Sequence, residues 1–213
     1  MNSHLSAQAK VLARRGFPGL LGMTEEGFLD RIGALGAALE DSLDAEFTGN
    51  IPVCVSFRPD LVKLTDVMER VEARSKAGVV DMKPLAPEAF KPIPGLEIPK
   101  GDLYLLVDVD TGQGLLNISP EESLARIRAQ GRTPLTMEEG SALAAQLPEL
   151  LTDKTRYNSI QMPGSRKHGD QRVPSIWFSR GAPRLGWCWD RNVHTWLGSA
   201  SARRRVGGCG IVQ

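Results

Sequence analysis

Apolar positions recur at helical spacing early in the chain and in strand-like runs later. Residues 7–15 predict a short helix that stops at Gly16-Phe17-Pro18-Gly19. Thr24 with Glu25 and Glu26 then predicts a longer helix, Thr24 serving as N-cap and the acids facing the positive end of the dipole. Phe28, Ile32, Leu35, Leu39 and Leu43 follow at three- and four-residue steps and make one apolar stripe. After Gly49-Asn50, residues 51–57 (IPVCVSF) predict a strand, with Cys54 as a small core residue. A short helix is expected over 64–73 and a short strand at Val79-Val80.

Between Pro84 and Pro99 the prolines predict an extended segment laid along the body by Leu85, Phe90, Ile93, Leu96 and Ile98. Residues 101–110 hold a near-continuous apolar run, the pattern of a strand buried on both faces. Ser119-Pro120-Glu121-Glu122 opens a helix that ends at Gly131, and Thr136-Met137-Glu138-Glu139 opens another, taken as amphipathic through Leu143, Leu147, Leu150 and Leu151. Beyond Thr152 helical periodicity gives way to glycines, turns and β-prone runs such as 175–178. The expected fold is α+β: N-terminal helices, then a mixed or antiparallel sheet with flanking helices, then a C-terminal segment rich in strands and loops joined to that sheet. The expected organisation is one domain over 1–213, with a helical part (1–50), an α/β body (51–153), a Trp/Arg-rich segment (154–205) and a tail (206–213).

The length of 213 residues suffices for a core without covalent staples, and 41% hydrophobic with 24% charged residues excludes a mostly disordered chain. Three cysteines, Cys54, Cys188 and Cys209, argue against a disulfide scaffold, and no apolar run reaches the ~20 residues of a membrane span. Without a leader-like start, the expectation is a cytoplasmic protein with no membrane partner.

The net charge of +1 conceals an asymmetry. Residues 1–153 carry 15 Lys+Arg against 23 Asp+Glu, whereas 154–213 carry 11 against only Asp170 and Asp190. Nine of those 11 cations are arginines, whose planar forks match carboxylates and phosphates. Such a segment either binds anions or folds back on the acidic body. All four tryptophans, Trp177, Trp187, Trp189 and Trp196, are interleaved with it. On a strand Trp187 and Trp189 share one face and Cys188 takes the other.

The strings 104–112 (YLLVDVDTG), 131–136 (GRTPLT) with Glu138-Glu139-Gly140, and Gly186-Trp187-Cys188-Trp189 through His194-Thr195-Trp196-Leu197-Gly198-Ser199 resemble an actinobacterial family of proteins of unknown function. The resemblance runs from the Gly16 turn to Ser201, implies a single cytoplasmic domain, and carries no activity. It leaves Arg203-Arg204-Arg205 to Gln213 outside, and that triplet is expected as an exposed basic tail that contacts acidic partners.

Several chemistries are weighed on the residues. Asp108 and Asp110 end an apolar strand in the manner of haloacid-dehalogenase-type phosphatases, but Gly112 stands where that family has Thr or Val, so a strand end running into a turn is favoured. Cys188 with His194, oriented by Asp190 or Asn192, forms a candidate thiol–imidazole pair, set against a buried structural cysteine. Cys188, His194 and Cys209 with His168 or Asp190 lack any metal-binding spacing, and no metal is assigned. Ser199 and Ser201 lack a nucleophile elbow. The loop 163–169 offers Ser165, Arg166 and Lys167 as anion donors.

The leading expectation is a site for an anionic, planar small molecule, such as a nucleotide or aromatic carboxylate, bound by Ser165, Arg166, Arg172, Trp187, Trp189, Asn192 and Trp196. If it is catalytic, His194 is the natural acid or base, with Cys188 and Asp190 beside it. The competing readings are single-stranded nucleic-acid binding by a basic aromatic groove and a protein-interaction module with Trp and Arg anchors. No cofactor is assigned.

Overall fold

The computed structural model describes residues 2–40, 47–153, 159–208 and 210–212. Helices α1 (Asn2–Arg14) and α2 (Glu25–Glu40) pack on each other, and Phe28, Ile32, Leu35 and Leu39 of the α2 stripe are buried. Leu43 lies outside the described residues. Strand β1 (Ile51–Phe57) is followed by the short helix α3 (Leu64–Met68) and the short strand β2 (Val79–Val80). The helix expected over 64–73 is shorter because Glu72–Ala73 turns into a two-residue ladder with Lys76–Ala77, and Arg74 and Ser75 take positive φ between them. Strand β3 (Leu103–Asp110) is buried along nearly all its length, as its apolar run requires.

Helix α4 (Pro120–Ala129) starts where Ser119 Oγ accepts the Glu122 N–H, and Gly131 follows at φ +66°. Helix α5 (Met137–Gln146) starts with a full capping box between Thr136 and Glu139. It departs from expectation in two ways. The helix ends at Gln146, because Pro148 begins a separate 3-10 turn (Pro148–Leu151), and every one of its residues is buried. It packs against β1 and also against the second sheet, so it has no solvent-facing side to make polar.

The longer strands that follow are β4 (Ser159–Gln161), β5 (Arg172–Ser179), β6 (Ala182–Trp189), β7 (Leu197–Ser199), β8 (Ser201–Gly207) and β9 (Gly210–Val212), while the short Ser165–Arg166 pairs with Lys91–Pro92. They do not all join the first sheet. That sheet is antiparallel, β1-β3-β8-β9, with Thr133–Pro134 also paired to β8. A second, mixed sheet runs β7-β4-β5-β6-β2. The chain passes between them at Ala200, whose N–H donates to Gln161 and whose carbonyl accepts from Leu135.

Residues 201–207 are therefore an internal strand and not a tail. Arg205 is completely buried. Its Nε and Nη2 reach the two carboxylate oxygens of Glu139 at 2.6 and 2.7 Å, and Tyr104 donates to the same carboxylate at 2.8 Å. A bidentate partner with a further hydrogen bond is the condition under which a buried guanidinium is tolerated.

Asp108 has a similar role at the other end of β3. It sits in a left-handed conformation at φ +55°, fully buried, and accepts hydrogen bonds from the N–H groups of Thr48 and Gly49 and from Arg132. Burial pushes its carboxyl up, but these donors together outweigh that and hold it below its ordinary value. The tight Asp-Thr-Gly turn falls two residues later, where Asp110 caps the Gly112 N–H.

Candidate functional site

The β5–β6 hairpin positions most of the sequence-predicted residues. Arg180 and Gly181, both at positive φ, make its two-residue turn and set the register Arg172 opposite Trp189 and Pro174 opposite Trp187. With a two-residue period, Arg172, Trp187 and Trp189 share a face. The Arg172 guanidinium lies 4.5 Å from the Trp187 ring centre and 4.8 Å from that of Trp189. The two rings are 5.1 Å apart at 67°, an edge-to-face pair. Trp187 is anchored by its N–H to the carbonyls of Met82 and Lys83 at 3.1 and 3.2 Å, whereas Trp189 remains 40% exposed.

Asp170 completes this arrangement, accepting from the Arg172 backbone at 2.8 Å and from its Nη1 at 2.7 Å. The Arg172 Nε is buried and has no hydrogen-bond partner.

Cys188 occupies the opposite face, as the alternation predicts. Gln161 donates to its sulfur at 2.7 Å and Ser175 is 3.5 Å away, while Gln161 in turn accepts from Ser199 at 3.1 Å. Burial pushes the thiol up despite these donors and the nearby Arg166, the direction of an unreactive cysteine. Its partners do not include His194. The His194 ring packs 5.4 Å from Trp196 at 67°, and burial lowers its basicity. Its Nε2 has no partner.

Asp190 faces Arg166 at 3.6 Å, and Asn192 is exposed on the loop that leads to Trp196, itself 43% exposed. Ser165 serves the fold: its Oγ accepts the Met137 N–H at the start of α5. Ser201 likewise accepts from Arg132.

Most guanidiniums of the C-terminal segment meet carboxylates of this same chain. Besides Arg172–Asp170 and Arg166–Asp190, Arg184 pairs with Asp81, Arg191 with Glu121 and Arg205 with Glu139. The basic segment thus folds back onto the acidic body, yet the indoles are not sealed in. Among the described residues no three His, Cys, Asp or Glu side chains cluster as metal ligands; Cys209 lies outside them. No helix among those residues is long and apolar enough to cross a membrane.

One acid, Glu138, stands apart from the sequence-predicted site. A cleft of about 860 Å³ opens between the Arg58–Leu64 segment, the Pro87–Pro92 turn and the start of α5, and Glu138 lines it. Glu138 is 9% exposed, its Oε2 has no partner, and burial raises its carboxyl to about 7. In the sequence it reads only as an acid in a helix's first turn, since nothing local says that the helix start is covered.

One family model, described as a family of unknown function (DUF5701), matches residues 11–208. The match extends past Ser201 and takes in Arg203–Arg205, which belong to an internal strand of the fold. No curated protein and no solved structure matches the chain.

Proposed function

Because the chain belongs to DUF5701, a family of unknown function, we propose from the site alone that it binds a planar, anionic small molecule. The binding face is the cluster of Arg172 with Trp187 and Trp189. The observation that carries this reading is the guanidinium held over two indoles that also meet edge to face, the outer of which remains at the surface. An exposed indole offers a flat stacking wall, and an arginine already ordered by ring contacts and by Asp170 loses little freedom when it meets a ligand. Asp170 offsets part of its charge, so stacking carries more of the recognition than ion pairing. Nucleotides and aromatic carboxylates fit that balance.

The test is tryptophan fluorescence during titration with AMP and with indole-3-carboxylate. Saturable quenching that weakens at least tenfold in Trp189→Ala and in Arg172→Ala is expected. Absence of saturable quenching by either compound rejects the reading.

A second reading has its own support. Trp189, Val193 and Trp196 are 40%, 58% and 43% exposed within eight positions, which suits an apolar anchor for another protein. In that case purified protein shows no small-molecule response and the Trp196→Ala variant loses a discrete complex. Single-stranded nucleic acid ranks lower, because the paired arginines leave fewer charges to release counterions.

A further inference from the structure

The cleft beside Glu138 lies apart from the indole face, and it combines features that a surface groove lacks. Its lining holds a buried carboxyl with one oxygen unpartnered. The other features of α5's first turn are satisfied: Thr136 and Glu139 cap each other, and Ser165 accepts the Met137 N–H. Glu138 is not a member of that capping box, although Thr136 and its own N–H favour its charged form, and a helix normally leaves such an acid in water. Its burial without a full set of partners is a cost that calls for an explanation.

Around the cleft stand Lys63 and Lys100, neither in an ion pair among the described residues, and Lys91, whose charge is close enough to Glu138 to favour the ionised carboxyl. Arg58 is already held by Asp60 at 2.6 Å. The lining also includes the apolar side chains of Phe90, Ile98 and Met137.

A simple anion meets the buried carboxyl, and a simple cation meets three lysines. A molecule with one ammonium and one carboxylate, separated by an apolar body, matches both ends. We propose that this cleft binds an apolar zwitterion of short-peptide size, its ammonium on Glu138 and its carboxylate on the lysine rim. The volume of about 860 Å³ lies in the range of small-molecule sites (~300–1,000 Å³) and exceeds what one amino acid fills. Burial holds the Glu138 carboxyl near half-ionised at neutrality, and an ammonium partner restores the charged form by ion pairing.

The test follows the Met137 methyl resonance in protein labelled at methionine methyl carbons, titrated with the dipeptide Leu-Leu, its N-acetyl form and its C-terminal amide. The expected result is a saturable Met137 shift with Leu-Leu, at least tenfold weaker when either terminus is blocked. Glu138→Gln should weaken Leu-Leu to the level of the N-acetyl form while leaving the N-acetyl form unchanged. Lys63→Met should weaken Leu-Leu but not its amide, and Trp189→Ala should change neither. An unmoved Met137 signal at millimolar dipeptide, or equal binding of free and N-acetylated forms, overturns the assignment. Glu138→Gln preserves size and hydrogen-bonding shape, and the Lys63→Met arm stands independently of it.

Discussion

Arg205 and Glu139 place a full charge pair at the centre of the first sheet, where neither side chain touches water. Burial alone lowers the basicity of Arg205, but Glu139 outweighs it and leaves the guanidinium above its ordinary value. Removing one partner strands the other, so Arg205→Met is expected to destabilise the protein by about 3–5 kcal/mol, read from the denaturant midpoint.

Glu138 predicts a pH effect of definite sign. Its folded-state carboxyl titrates at about 7 against an ordinary 4.5, so the folded protein holds that proton more tightly than the unfolded chain. Stability from this group is complete below pH 4.5 and is lost as pH rises through 7, a loss on the order of 3 kcal/mol. Urea unfolding at pH 5 and pH 8 should show this fall in the wild type relative to Glu138→Gln. Asp108, held below its ordinary value, works in the opposite sense and loses its contribution as acid protonates it.

Among the elements, β1 has a free edge that two helices complete. Gln8 of α1 donates to the Val53 carbonyl at 2.8 Å. Gln146, the last residue of α5, accepts the Val55 N–H at 2.9 Å and donates to the Val55 carbonyl at 2.7 Å, as a neighbouring strand would. These amides settle an edge that is otherwise open to pairing with another chain. Gln146→Leu leaves a buried N–H and carbonyl unpaired, and a loss of about 3 kcal/mol in chemical denaturation is expected. The strands at 51–57 and 103–110 were legible because apolar runs of that length, bounded by Gly-Asn and by Gly-Asp, have few other solutions. The end of α5 was not, because Leu147, Leu150 and Leu151 continue the helical spacing into a turn that Pro148 makes separate.

For the whole molecule, β8 joins most of its sheet: it pairs β3, β9 and Thr133–Pro134 and delivers Arg205. A chain cut after Ser199 is expected to lose cooperative thermal unfolding by circular dichroism, since β3 then loses a full neighbour and Glu139 its counterion. The charge asymmetry is a whole-molecule feature too. The acidic body and basic end neutralise each other across ion pairs such as Arg184–Asp81 and Arg191–Glu121, which span distant parts of the sequence.

Local preference and periodicity determined the α+β class, the N-caps at Ser119 and Thr136, the long strands and the common face of Trp187 and Trp189, because each depends on neighbours a few residues away. The partner of each charge was beyond that reach. Arginines at 203–205 read as a solvated tail until β8 threads between β3 and β9, and Glu138 reads as a surface acid until the 58–64 and 87–92 segments close over it. Burial is a property of what arrives from elsewhere in the chain, so the tertiary structure alone decided which charges are structural and which face a cleft.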